Sequence, residues 1–411
     1  MSWNGCWDYR RKDGRFENSG LCGKNDMSVR TIDECFYQIR NGANIKQGAV
    51  DGGYPITRIE TTANDRFNRD RMGYAGITDI KKYENYVLQD GDLLMSHINS
   101  TQYLGRTVLY EKQGDEKIIH GMNLLGLKAR RDIIIPAYAR YCFYSQPFRE
   151  QIGRITKKSV NQASFAVADL KKIKIIVPDL SEQCEVIDIL NRVNQVIEDR
   201  QRELRKMDDL IKARFVEMFG DCTNMISLSE LCLIITDGTH QSPKFQHDGI
   251  PFILVSNLSK NTVTYDTDKF ISAETYKELY KRTPIEIGDI LLSTVGSYGH
   301  PAVVVEDRKF LFQRHIAYLK PKSDILNSYY MHGALLSPGC QRQIEEKVKG
   351  IAQKTLNLSE IRKIRIPVSS LDLQKQYADF VHQVNKSKVA VQKALDETQI
   401  LFDSLMQKYF G

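Results

Sequence analysis

Polar side chains that can pair with base edges are concentrated in loop-like stretches of both halves of the sequence. Arginine, lysine, asparagine, glutamine and histidine can hydrogen-bond to bases, and serine and threonine can add single contacts. For each of these residues, a solvated or turn-stabilising loop position is the alternative interpretation. The base-recognition candidates are Asn44, Lys46, Gln47, Arg58, Arg69, Arg71, His97, Asn99, Ser100, Gln102, Arg106, Thr239, His240, Asn257, Ser297, Tyr298, Gln313, Arg314 and His315.

A second set of polar residues, mostly cations, precedes each of two long helical patterns. Such cations neutralise phosphates and release counterions, which gives salt-sensitive binding without a choice of base. A solvated basic face is the alternative for any one of them, but the recurrence in both halves favours phosphate binding for the set. The net charge of +7 agrees with a polyanionic partner without requiring one. The phosphate candidates are Lys157, Lys158, Gln162, Lys171, Lys172, Lys349, Gln353, Lys354, Arg362 and Lys363.

Motifs of the common enzyme classes are absent from the sequence. It has no phosphate-binding loop, zinc-protease helix, serine-nucleophile elbow or dinucleotide fingerprint. The Asn/Asp-Pro-Pro-Tyr/Phe motif of amino-methyltransferases is also missing, and the eight cysteines never form a C-x-x-C pair. We therefore predict a protein with no catalytic residues, no metal site and no cofactor of its own.

The two halves of the sequence repeat each other. DLKKIKIIVPDLSEQ (169–183) aligns with EIRKIRIPVSSLDLQ (360–374) at a constant offset of 191, and DGDLLMS (90–96) matches IGDILLS (287–293). In each half, short β-type runs separated by Gly, Asn and Asp precede one long helical pattern without proline or glycine. Two units of one architecture therefore stand in tandem.

The two helical patterns carry apolar residues at alternating steps of three and four, which is typical of a coiled coil. A long helix lying on its own domain is the alternative. Because the halves are equivalent, pairing of the helices would be antiparallel. The predicted seam residues are Leu190, Val193, Ile197, Leu204, Met207, Ile211, Val381, Val384, Val391, Leu395, Phe402 and Leu405.

These patterns together predict an α+β fold with a pseudo-twofold internal repeat. Two mixed α/β domains, 28–178 and 221–369, are joined by two long helices, 179–220 and 370–411, which pair as an antiparallel coiled coil. We interpret residues 1–27 as a poorly ordered N-terminal extension. The sequence has no signal peptide and no membrane-length apolar run, so a cytoplasmic location is expected.

The order of domain, helix, domain, helix resembles the specificity subunits of Type I restriction–modification systems. RNGANIKQ (40–47), GGYPITRIET (52–61) and GDLLMSHINS (91–100) resemble a target-recognition domain of that family. TDGTHQSPKFQHDGIPFILVSNL (236–258) and GDILLSTVGSYG (288–299) resemble a second one. VPDLSEQ (177–183) matches the family's helix start, whereas the second copy has Leu373 where Glu is usual.

The resemblance implies that each domain recognises part of an interrupted site in double-stranded DNA. It further implies two DNA adenine methyltransferase subunits as partners, and two motor-nuclease subunits as optional ones. S-adenosylmethionine, ATP and magnesium would then belong to those partners. The alternatives are a non-enzymatic coiled-coil scaffold, or an orphan DNA reader for another phage-defence methyltransferase. An enzyme such as a nuclease is the third alternative.

Overall fold

The structure, a computed structural model, describes residues 28–48, 52–159, 162–350 and 354–411. The predicted N-terminal extension, 1–27, lies outside these ranges. The chain divides into two units, of which the first comprises residues up to 198 with 395–411 and the second residues 199–394. No helix in the described ranges is both long enough and apolar enough to cross a membrane.

The strands of the first unit form three antiparallel groups. β1 pairs with β9, a four-stranded sheet has the order β2-β6-β3-β5, and a small sheet has the order β4-β8-β7. The bounds are β1 Ser28–Thr31, β2 Phe36–Asn41, β3 Leu93–Ser96, β4 Ile98–Asn99, β5 Thr107–Leu109, β6 Leu124–Ala129, β7 Lys157–Lys158, β8 Ala163–Ser164 and β9 Lys174–Val177. Short α-helices are Ile32–Cys35, Pro136–Tyr144, Gln146–Ile155 and Val167–Leu170, and 3-10 helices are Ile59–Asp65, Arg69–Arg71, Lys81–Tyr86 and Thr101–Tyr103.

The second unit repeats the four-stranded sheet and the two-stranded pair of the first, but its three-stranded sheet differs and contains one parallel pair, β12 with β16. Its four-stranded sheet has the order β11-β17-β14-β15, β10 pairs with β18, and β12 lies between β13 and β16. The bounds are β10 Met225–Ser227, β11 Cys232–Asp237, β12 Ile250–Ile253, β13 Phe270–Ile271, β14 Ile290–Ser293, β15 Pro301–Val303, β16 Leu311–Phe312, β17 Ile316–Pro321 and β18 Arg365–Pro367. Short α-helices are Leu228–Leu231, Ala273–Tyr280, Ser328–Leu336, Pro338–Lys347 and Leu358–Ile361, and Val255–Leu258 is a 3-10 helix.

Two helices of 40 residues each follow the domains, and we call them the first long helix (Leu180–Phe219) and the second long helix (Leu371–Phe410). All predicted seam residues are buried or half-buried, which agrees with the 3-4 pattern as the packed face. In the second unit, the Tyr377 hydroxyl donates to the Ile211 carbonyl at 3.3 Å, and Lys388 pairs with Asp208. From the first contact to the second, the residue number rises on the second long helix and falls on the first, so the two helices are antiparallel.

Aromatic residues at the helix ends extend the packing beyond the predicted seam. In the second unit, Phe219 packs on Tyr330 at 4.7 Å between ring centroids, and both rings are nearly or fully buried. In the first unit, Phe410 packs on Tyr138 at 5.2 Å. Tyr138 and Tyr330 lie on corresponding helices, Pro136–Tyr144 and Ser328–Leu336. The heptad pattern did not indicate these contacts, because the helix ends pack onto short helices of the domains, outside the predicted seam.

One buried glutamine at the start of each long helix makes the same three hydrogen bonds in both units. Gln183 accepts from the Ile135 amide at 2.8 Å and donates to the carbonyls of Ile133 (2.9 Å) and Pro178 (2.8 Å). Its counterpart, Gln374, is equally buried and binds the corresponding backbone groups of the second unit. The repeat is therefore conserved in hydrogen bonding as well as in sequence pattern.

Candidate nucleic-acid interface

Several base-recognition candidates of the second unit meet at one end of its four-stranded sheet. An isolated bridge joins Thr239 to Gln313, and the Arg314 amide donates to the Thr239 carbonyl at 3.1 Å. The guanidinium of Arg314 is exposed, and its Nε donates to His315 Nε2 at 3.2 Å. A cavity of about 300 Å³ with polar walls opens between this turn, Asp237 and the 355–358 segment. This arrangement offers hydrogen-bond donors at a protruding turn.

The corresponding end of the first unit carries Asn44, Lys46, Gln47 and Arg58. Asn44, Lys46 and Arg58 are exposed, whereas Gln47 is half-buried and its Nε2 donates to the Thr57 carbonyl at 3.4 Å. The Oε1 atom of Gln47 is buried without a partner among the described residues. Arg71 is exposed on the neighbouring 3-10 helix.

Strand pairing brings phosphate candidates beside base-recognition candidates in both units. In the first unit, β8 lies between β4 and β7, so Lys157 and Lys158 are in the same small sheet as Asn99. In the second unit, Lys349 and Val295 both bridge to Thr355, and the Gly296 amide donates to the Lys354 carbonyl at 3.1 Å. The exposed cations Lys157, Lys158, Lys349 and Lys354 therefore flank loops whose exposed residues include Ser100, Gln102 and Ser297. Gln162 is also exposed, whereas Gln353 lies outside the described residues.

Four other phosphate candidates already have partners within the chain. Lys171 pairs with Asp33 at 2.9 Å, and Lys172 pairs with Asp169 at 3.4 Å. The other two are Arg362, which donates to the Ile235 carbonyl at 2.6 Å, and Lys363, which pairs with Glu360 at 2.9 Å. These side chains are half to largely exposed, and their assignment to phosphates stays a prediction.

Arg69 is engaged in an ion pair inside the first unit. Its guanidinium binds both carboxylate oxygens of Glu116, at 3.0 and 2.6 Å, and lies 5.2 Å from the centre of the Phe67 ring. Hydrogen bonding to Arg69 lowers the pKa of Glu116 to about 2. The ion pair and the Glu111 carbonyl engage Nε and Nη2 of the guanidinium. Base recognition by Arg69 stays a prediction, and a bidentate base contact would require this ion pair to open.

Asn257 is likewise engaged inside the fold, and the first unit has an equivalent contact. Its Oδ1 accepts from the Leu254 amide at 2.9 Å, and its Nδ2 donates to the Asp266 carbonyl at 2.8 Å, while only 6% of the residue is exposed. In the first unit, the fully buried Thr61 accepts from the Arg58 amide at 2.8 Å in the same kind of turn. Both residues hold a 3-10 turn together.

Arg106 and His97 are also engaged inside the first unit. Arg106 pairs with Asp65 at 2.9 Å, and its guanidinium lies 4.6 Å from the centre of the Tyr103 ring. His97 is 6% exposed and stands edge-on to Phe165, and burial lowers the pKa of its imidazole. Both side chains can position the 96–106 loop, but direct base contact would require them to rearrange.

The remaining candidates of the second unit differ in accessibility. His240 is exposed and its Nε2 lies 2.9 Å from Asp237. Tyr298 is half-buried against the core, whereas the adjacent Ser297 is exposed. Over the described ranges, no group of three or more His, Cys, Asp or Glu side chains could hold a metal ion.

Comparison with known proteins gives one consistent family. The model of the Type I restriction modification DNA specificity domain matches twice, over residues 24–206 and 223–398. A specificity subunit named MjaX, from Methanocaldococcus jannaschii, is 27% identical over 406 residues, covering 90% of this chain and 91% of the relative. The EcoBI specificity subunit of Escherichia coli is 29% identical over 167 residues, covering 40% of this chain and 35% of the relative.

Solved structures have the same fold. The S subunit of a Type I system from M. genitalium superposes with a TM-score of 0.51 at 15% identity, covering 95% of this chain and 98% of that one. A chain from a study of assembly and conformational transition in the Type I system gives a TM-score of 0.53 at 16% identity, with the same coverage. The predicted fold, two mixed domains with long paired helices, is thereby confirmed.

Proposed function

We propose a division of labour within this chain, which belongs to the Type I restriction–modification DNA specificity family: each unit recognises one half of a bipartite DNA target. The chain is a non-catalytic DNA-recognition subunit that assembles with other subunits of a Type I complex. One observation supports the division. The hydrogen-bonded scaffold is the same in both units, while the exposed polar side chains at its ends differ, as in Asn44 and Lys46 against His240 and Arg314.

Exchange of one domain tests this division. Replacing residues 28–165 with the corresponding region of a relative should change one half of the methylated site and leave the other half unchanged. Methylome sequencing of cells that express the chimera with its methyltransferase provides the measurement. The matched control is the reciprocal exchange of 221–357, which should change only the other half. Changes in both halves after either exchange would contradict independent recognition.

The partners follow from the same duplication. Two similar units in one chain can each support one copy of a DNA adenine methyltransferase, and a pair of motor-nuclease subunits can join them. In this proposal the target is double-stranded DNA, and the complex works in the cytoplasm. The methyltransferases bind S-adenosylmethionine, whereas the motor-nuclease subunits bind ATP and magnesium. Native mass spectrometry of the co-expressed complex should give two methyltransferases per chain. Calorimetry on the pure chain should give no binding of S-adenosylmethionine, and stoichiometric binding would contradict this assignment.

A further inference from the structure

The same backbone pattern precedes β6 in the first unit and β17 in the second. Gly121 forms an isolated bridge, Met122 and Asn123 form a two-residue turn, and β6 begins at Leu124. In the second unit, Gln313 forms the bridge, Arg314–His315 is the turn, and β17 begins at the next residue. The two turns are therefore equivalent positions of the repeat.

The contacts around the two turns support the same equivalence. Gly121 bridges to Ala43, and its amide donates to Thr57 Oγ1 at 2.9 Å. Gln313 bridges to Thr239, and its amide donates to the Ile253 carbonyl at 3.1 Å. A Cβ atom added at Gly121 would stand 2.3 Å from the Thr57 carbonyl oxygen, so the backbone is closely packed at this point. The backbone segment that carries the Met122–Asn123 turn is thus held in a fixed position.

We infer that Met122 and Asn123 are base-specificity residues of the first unit, in the positions that Arg314 and His315 occupy in the second. This inference rests on the proposed recognition of one half-site by each unit. Met122 is 44% exposed although it is apolar, and Asn123 is exposed and makes no side-chain hydrogen bond within the part of the chain that the structure describes. Neither side chain is needed to hold the turn.

The chemistry of the two turns assigns different bases to them. An apolar side chain in the major groove contacts the 5-methyl group of thymine, and an asparagine amide can bind N6 and N7 of adenine together. The Arg314 guanidinium instead suits O6 and N7 of guanine. We assign a thymine contact to Met122, an adenine contact to Asn123 and a guanine contact to Arg314.

Deoxyuridine substitution tests the thymine contact, because deoxyuridine lacks only the 5-methyl group. The target is first determined by methylome sequencing with the full chain and its methyltransferase. Each thymine of the half-site that belongs to the first unit is then replaced singly by deoxyuridine in binding duplexes. One replacement should weaken binding of the unmodified complex by about fourfold, which corresponds to one buried methyl group. Met122→Ala should be insensitive to that replacement, whereas Met122→Leu should stay sensitive because it keeps an apolar contact.

Asn123→Ala tests the adenine contact. It should weaken binding to the cognate duplex by about 5- to 150-fold, the range for one bidentate base contact, and leave binding to random DNA unchanged. Asp115→Ala is the matched control. Asp115 is an exposed turn residue in the loop that follows β5, and this loop begins after Leu109, the β5 residue that pairs with Leu93. It should leave both affinities unchanged.

Three results would overturn the inference: a half-site without thymine, sensitivity to deoxyuridine that persists in Met122→Ala, or equal losses for Asn123→Ala on cognate and random DNA. Exchange of residues 28–165 separates this failure from failure of the proposed function. If the exchange changes the half-site while the Met122 and Asn123 variants do not, other residues of the first unit recognise the bases. If the exchange changes nothing, the division of labour itself is wrong.

Discussion

Gln183→Ala should destabilise the first unit strongly although it removes no charge and only one methylene group of apolar packing. The side chain is fully buried and satisfies one backbone N–H and two backbone carbonyls. Each buried polar group left without a partner costs about 1–3 kcal/mol. Water entering the space left by the side chain offsets part of this cost, so we expect about 3–5 kcal/mol in total, near the upper limit for single substitutions.

Thermal unfolding measures the effect, and the repeat supplies the comparison. At about 2–4 °C per kcal/mol for a unit of this size, the midpoint of the first unit should fall by roughly 6–20 °C. Gln374→Ala should produce a similar fall in the second unit, because it makes the same three hydrogen bonds. Glu185→Ala, at an exposed position on the first long helix, is the control and should change the midpoint little. A loss below about 1 kcal/mol for both glutamine variants would refute the reasoning, because it would mean that the exposed backbone groups find other partners.

Three further predictions concern packing, salt dependence and acid stability. Gly333→Ala should lower the free energy of unfolding by about 1–3 kcal/mol or more, because the new Cβ would lie 2.4 Å from the Tyr377 hydroxyl of the second long helix. Gly339→Ala is the control: its Cβ would meet open space, so this variant should unfold like the unmodified protein. Replacing Lys157 and Lys158 together by alanine should weaken binding to cognate and random DNA alike and reduce the salt slope by about one unit per lost phosphate contact; a loss confined to cognate DNA would reassign them to base recognition. The pKa of Glu116 is lowered to about 2, so the ionised carboxylate stabilises the fold above its ordinary pKa, and this stabilisation is lost as the pH falls towards 2. Glu116→Gln should therefore lose less stability than the unmodified protein between pH 5 and 2 in acid denaturation. An equal loss in both proteins would contradict the ion pair.

The fold was predictable because the signals that specify it recur along the chain. The 3-4 apolar pattern predicted the packed faces of both long helices, and one constant offset predicted equivalent domains. The pattern missed Phe215 and Phe219, because these two positions lie outside the predicted seam. Their rings pack against Tyr330 of the domain, and Phe215 also packs against Tyr377 of the second long helix. Such contacts depend on tertiary neighbours that periodicity does not specify.

The candidate site was less predictable, because residue type does not show which partner a polar side chain has. Arg69 and Asn257 have the composition of base-recognition residues, yet an ion pair and a turn engage them inside the fold. Met122 was missed for the opposite reason: its side chain is apolar, and only the equivalence of its turn with that of Arg314 marks the position. The equivalence of Thr61 and Asn257 was hidden as well, since a hydroxyl and an amide perform the same capping task.

The packing of Phe410 on Tyr138 has a consequence for biosynthesis. The first unit needs residues 395–411 to complete its core, and the ribosome must translate residues 199–394 before it reaches them. Translation proceeds at about 5–20 residues per second, so the nascent first domain lacks the Phe410 ring that packs on Tyr138 for roughly 10–40 s. The second unit is continuous in sequence and meets no such delay. Protection by chaperones during synthesis should accordingly matter more for the half of the chain that is made first.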